Sequence, residues 1–271
     1  MAQAKEKELY AQEIKEIKAK IEQSDRKIRE ILSKKKKSPA IAGYYNLEMA
    51  VEHIECTSLY LEMNKKSFEY LKIKNSSFLD SARKAFFAIF PLLDETVGAD
   101  IDRPLVENKE YLKKIEKVTI RQVLLLSRKI LLVFGKLLEE TGENNKFKWS
   151  FVDNYVRIAT LIKNMINFSD IEKYRDPRNP FYYDRQELIL LCKNTLEEAA
   201  KQARQKYEMT SLAPGEMKKA IDLLSALRKI NILYGETDEA QKNKTLIEAL
   251  NSRLEDEEKK REKGTKAPLK K

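Results

Sequence analysis

Apolar residues recur along this chain at helical spacings of three and four, and no stretch alternates apolar with polar as a half-buried strand does. The densest stretch is Thr119–Glu140. Ile120, Val123, Leu124, Leu125, Leu126, Ile130, Leu131, Leu132, Val133, Phe134, Leu137 and Leu138 wrap almost all the way round it. A helix apolar on most sides is usually buried by several neighbours, so this one is expected to be the central post of an all-α protein. Thr119 and Gln122 form a capping-box pattern at its start, and Thr141-Gly142 marks its end.

The N-terminal pattern is narrower. Tyr10, Ile14, Ile17, Ile21, Ser24, Ile28 and Ile31 follow alternating spacings of four and three on an otherwise charged helix over 3–37. That is a heptad seam. In a parallel pair, Glu13 would face Lys18 and Lys20 would face Asp25, and both pairs attract. Isoleucine at both seam positions also suits three or four strands. The same seam can equally pack back on the chain's own body.

Punctuation places the remaining elements. Ser38-Pro39 opens a helix to about residue 73, and Asn75-Ser76-Ser77 separates it from a helix over 78–96, which Pro91 should kink or end early. Val97–Asp100 turns the chain, and Asp102 with Pro104 starts a short helix ending near Val118. Glu143–Lys148 reads as a polar link. Ser150 and Asp153 suit a cap for a helix to about Phe168. Ile171–Tyr183 reads as the longest structureless segment of the body. Asp184 should cap a helix to about Met209, Pro214 should start another, and Thr237 should cap the last. The expected architecture is therefore an all-α multi-helix bundle. It has three parts: an N-terminal coiled-coil-like helix over 1–38 that protrudes as a coiled coil or docking arm, a bundle over 39–263, and a disordered basic tail over 264–271.

Composition narrows this picture. Glycine and proline number 7 each in 271 residues, too few for a turn-dense β protein. The net charge is +10, of which residues 1–38 carry +5 and residues 255–271 carry +2. Basic ends suit anionic partners, with Lys34–Lys37 and the C-terminal tail as the contacts. Two cysteines make no disulfide framework and fit a reducing cytosol. The first residues have no signal-like apolar core, and no apolar run reaches the ~18–20 residues of a membrane span. A cytoplasmic location is expected.

Candidate chemistry is sparse. His53 and Cys56 lie one helical turn apart, but a structural zinc site wants about four such ligands and only Cys192 remains. As a nucleophile pair they lack an orienting third group. No glycine-rich phosphate loop is present. No metal, cofactor or catalytic residue is therefore expected. The most unusual local composition is Lys173–Arg185, where Arg175, Arg178 and Arg185 interleave with Tyr174, Phe181, Tyr182 and Tyr183. Arginine and tyrosine dominate binding hot spots and stack on bases. The same stretch also reads as a stiff interhelical loop whose aromatics plug the core and whose arginines pair with acids.

These features lead to the expectation of a non-enzymatic structural or adaptor protein. It would self-associate or bind a helical protein partner through the seam of Tyr10, Ile14, Ile17, Ile21, Ile28 and Ile31. Tyr174, Arg175, Arg178, Phe181, Tyr182 and Tyr183 would form a second contact. The alternative is an RNA- or DNA-binding protein using the basic ends, with affinity that falls steeply with salt.

Overall fold

A computed structural model describes residues 2–142, 148–210 and 213–265. Among the described residues the protein is an all-α helical bundle with ten α-helices and no strand. They are α1 (Ala2–Lys37), α2 (Ala42–Leu71), α3 (Ser76–Phe87), α4 (Ile89–Val97), α5 (Asn108–Leu112), α6 (Ile120–Thr141), α7 (Lys148–Asn164), α8 (Tyr182–Met209), α9 (Pro214–Leu233) and α10 (Thr237–Thr265). Among these residues no helix is long and apolar enough to cross a membrane.

Local chemistry explains most boundaries. Thr119 and Gln122 do form the reciprocal capping box that opens α6, which satisfies two otherwise orphaned N–H groups. Asn75 caps α3, accepting from the N–H groups of Ser77 and Phe78. Pro91 has no N–H to donate to the carbonyl four residues earlier, and the helix breaks at Ala88 between α3 and α4. Asp184 lies inside the first turn of α8 and does not cap it, because the helix already begins at Tyr182. The segment expected to be structureless holds a 3-10 helix over Phe168–Tyr174. Helix α10 continues through Thr265, and the rest of the expected tail, 266–271, lies outside the described residues, as do 143–147 of the polar link.

The chain divides into two compact units, each drawn from separated segments. The first comprises Met1–Ala99, Val106–Lys148 and Asn164–Leu188; the second comprises Asp100–Leu105, Trp149–Lys163 and Ile189–Lys271. Residue 38 is therefore not a division point.

In the first unit α2 is the helix around which the others gather. It packs against α1, α3, α4 and α6. From Tyr10 onward the seam of α1 lies against α2. Ile14, Ile17 and Ile21 are buried with Cys56, Leu59 and Met63 of α2 in one cluster, flanked by Tyr10, Tyr60, Phe78 and Ala85. Polar contacts fix the register. The hydroxyls of Tyr10 and Ser67 lie 2.7 Å apart, and Glu13 accepts from the Tyr70 hydroxyl at 2.9 Å and meets Lys66 at 3.0 Å. Those two partners hold the Glu13 carboxyl below the usual range. Ile31 is buried as well and Ile28 half-buried. The seam found its partner surface within the chain, where the covalent link supplies a high effective concentration.

Helix α6 has a narrower role than its apolar count implies. Val123, Leu124, Leu126, Ile130, Val133, Phe134 and Leu137 are buried, but Leu125 and Leu132 are 48% and 58% exposed. Phe134 stacks on Phe86 at 5.4 Å, and Phe86 meets Phe90 edge-on at 5.7 Å. Buried Asn64 ties three elements together: its Nδ2 donates to Glu140 at 2.8 Å, and its Oδ1 accepts from the N–H of Asn75 at 2.8 Å.

In the second unit α9 and α10 pack together, and Gly235 at φ +76° closes α9 in the left-handed region. Lys163 is fully buried there, and its Nζ donates to the Ile101 carbonyl at 2.6 Å. Lys206 and Lys219 both reach Asp153 and Glu216 in one charged network.

Candidate functional site

A cleft of about 420 Å³ opens in the first unit between two stretches distant in sequence. One wall is the run from Lys109 through Ile120, where α5 gives way to a 3-10 turn and then to the start of α6. The other runs from Met165 through Tyr174 and includes Phe181, Arg185 and Leu188. The first wall sits close over α2. At Gly43 an added Cβ would stand 2.9 Å from Ile115 Cγ2 and 3.2 Å from the Lys114 carbonyl, so only glycine admits this approach.

The second wall is stiffened by its own side chains. Asn167 accepts from the Ser169 N–H and starts the 3-10 turn. Asn179 accepts from the Phe181 N–H and donates to the Lys173 carbonyl. Asp176 accepts from both the backbone and the guanidinium of Arg178.

Arg185 is the unusual residue of this cleft. It is 2% exposed, yet it lines the cavity. Its guanidinium lies 5.6 Å from the Tyr174 ring centroid and 6.0 Å from that of Phe168. Nη2 donates to the Asn167 carbonyl at 2.8 Å. Asp170 Oδ1 stands 3.2 Å from Nη2, but the alignment is not that of a hydrogen bond. Among the described residues Nε has no acceptor. Of its five N–H donors, those on Nη2 are engaged and the one on Nε is unmet. Burial pushes the Asp170 carboxyl upward, and the neighbouring Arg185 charge offsets this only in part.

Around this group the lining is cationic. Lys109, Lys113, Lys117 and Lys173 are exposed at the margin, against the acids Glu116 and Asp170. Lys113 meets Glu110 at 2.6 Å, a solvent-exposed contact of the kind that contributes little. Buried Ile115, Val123, Met165, Ile166 and Leu188 make the interior apolar. The N-terminus of α6 adjoins the cleft, but its capping box already occupies Thr119 and Gln122. The arrangement offers fixed positive charge over an apolar base. It can hold an acidic group, and it shows no nucleophile beside a general base.

The residues expected from the sequence separate into groups. Tyr10, Ile14, Ile17 and Ile21 face α2, Ile31 is buried and Ile28 is half-buried, all within the protein's own packing. Tyr174 is buried beneath Arg185, and Phe181 is half-buried in the cleft. Tyr182 and Tyr183 begin α8, in edge-on contact at 5.2 Å, with Tyr183 75% exposed. Arg175 and Arg178 are exposed but paired locally with Glu172 and Asp176. Arg185, Lys113 and Lys117 were not among the expected contacts. Of the Lys34–Lys37 run, Lys35 pairs with Glu95 at 2.6 Å.

The His53 and Cys56 pair has the wrong electrostatics for nucleophilic chemistry. Burial first, then the Asp25 charge, pushes the Cys56 thiol up to about 11, so it stays protonated near neutrality. Burial also lowers the His53 pKa, against an opposing pull from Asp25.

In comparison with known proteins, residues 6–258 match the model of the TP0443 family. No curated protein matches the chain.

Proposed function

The chain belongs to the TP0443 family, and we propose that it is a non-enzymatic binding protein whose contact site is the cationic cleft of the first unit, engaging a partner through an acidic group. The observation that carries this reading is Arg185: a charged group 2% exposed, lining a cleft, with its Nε–H unmet among the described residues. Asp170 balances the charge at 3.2 Å, but the Nε–H keeps no acceptor among the described residues, and burying an unmet donor is costly. The Arg/Tyr stretch supports the reading in a changed form. It contributes Lys173, Tyr174, Phe181 and Arg185 to the cleft, while Arg175 and Arg178 brace the loop. The packing of the isoleucine seam against α2 favours the cleft over the seam as the contact surface.

The test is a titration with acetate, inorganic phosphate and octanoate, followed through the Nε–H resonances of nitrogen-15-labelled arginines. A saturable shift of the Arg185 signal is expected with at least one acid. It should weaken in the rim variant Lys113→Gln/Lys117→Gln/Lys173→Gln. An Arg185 signal that no acid moves would remove the proposal.

A further inference from the structure

We infer that the cleft takes a small amphiphilic anion, an apolar chain ending in a carboxylate or phosphate monoester, with the acid at Arg185 and the chain against the apolar base. This deepens the binding reading and rests on it.

The argument is one of joint satisfaction. Ile115, Val123, Met165, Ile166 and Leu188 are each 8% exposed or less and still line the cavity. A bare inorganic anion would meet the guanidinium and leave that apolar surface in contact with water. A purely apolar molecule would cover the surface and bring nothing to the Arg185 guanidinium, whose Nε–H is unmet among the described residues. A molecule carrying both parts satisfies both.

The volume agrees, because about 420 Å³ falls within the range of roughly 300–1,000 Å³ usual for small-molecule sites. The charge agrees as well: five basic side chains line the cleft against two acidic ones. Asp170 balances the Arg185 charge at 3.2 Å but leaves its Nε–H without an acceptor among the described residues. Helix α6 is not the anion's anchor, because Thr119 and Gln122 already serve its first turn.

The experiment is calorimetric titration of the full chain with acetate, hexanoate, octanoate and 1-octanol at neutral pH. Each buried methylene should tighten binding about fourfold, so octanoate, with six more than acetate, should exceed it by up to about four thousandfold. 1-Octanol should bind at least tenfold more weakly than octanoate, because it brings no charge to Arg185. Arg185→Gln should narrow the difference between acid and alcohol to the several-fold share of the rim lysines. Because Arg185 is buried, that variant's melting curve is recorded alongside. If it does not fold, the exposed rim variant Lys113→Gln/Lys117→Gln/Lys173→Gln decides, with a several-fold loss for octanoate and none for 1-octanol. Acid binding that does not rise with chain length overturns the amphiphile while leaving the anion site standing. Octanoate binding no better than 1-octanol overturns both.

Discussion

Lys163 offers the most quantitative test of the structure. Its side chain is fully buried, with Nζ donating to the Ile101 carbonyl at 2.6 Å and reaching the Arg103 carbonyl at 3.4 Å. Burial, reinforced by the Arg103 charge, lowers its pKa from 10.5 to about 8; Cys192 and Asp102 pull the other way. The folded protein therefore releases this proton before the unfolded chain does. Between pH 8 and 10.5 the unfolded chain binds more protons, so the contribution of Lys163 to stability must rise with pH across that window. Below pH 8 the full penalty of a buried charge remains; above 10.5 it is gone. At about 1.36 kcal/mol per tenfold step in proton affinity, the gap corresponds to about 3 kcal/mol. The assay is urea unfolding of wild type and Lys163→Met at several pH values from 7.5 upward. Taking the difference removes every other titrating group. The wild type should gain on the variant by about 3 kcal/mol by pH 10.5. Parallel profiles for the two proteins would show that Lys163 keeps an ordinary lysine pKa in the fold, and the burial argument would fail.

Three further outcomes follow from the packing. Ile17→Ala should cost about 2–5 kcal/mol in urea unfolding and leave the mass by light scattering unchanged, since Ile17 faces α2; a change of oligomeric state with little loss of stability would restore the intermolecular seam. Cys56, with its thiol pushed up to about 11, should resist iodoacetamide at pH 8 in the native protein and react once urea unfolds it; rapid native labelling would contradict its burial. Gly43→Ala should destabilise by about 1–3 kcal/mol, because its Cβ would stand 2.9 Å from Ile115 Cγ2; a neutral result in thermal unfolding would mean that the 113–115 turn yields freely.

Helix class and many boundaries were legible from the chain because they rest on local chemistry: the Thr119 capping box, Pro91, and Pro214 at the start of α9. The hub was not. Helix α2 buries Asn46, Thr57, Asn64 and Ser67 among its apolar residues, so counting hydrophobes understates how much of it is inside. Helix α6 shows the reverse error, since Leu125 and Leu132 enlarge its apolar count while facing solvent. A heptad seam fixes which face of α1 is sticky, but not whether the matching face belongs to another molecule. The candidate site was half legible. The Arg/Tyr stretch stood out by composition, yet the burial of Arg185 depends on the 3-10 turn that brings Phe168 and Tyr174 against it. The opposing wall at Lys109–Lys117 lies some sixty residues earlier and reads as ordinary lysine-rich helix surface.

The interrupted course of the chain bears on how the protein is made. A ribosome has delivered the whole first unit once residue 188 is out, but the second then has only 100–105 and 149–163. Helix α7 thus emerges carrying Phe151, Val152, Val156, Ile158, Leu161 and Ile162, while the segment from 189 onward that completes its unit is still being synthesised. Nascent chains stalled shortly after α7 should therefore engage hydrophobe-binding chaperones, and release should come only when α9 and α10 have been added. For the same reason neither unit can be excised as one continuous piece of the gene.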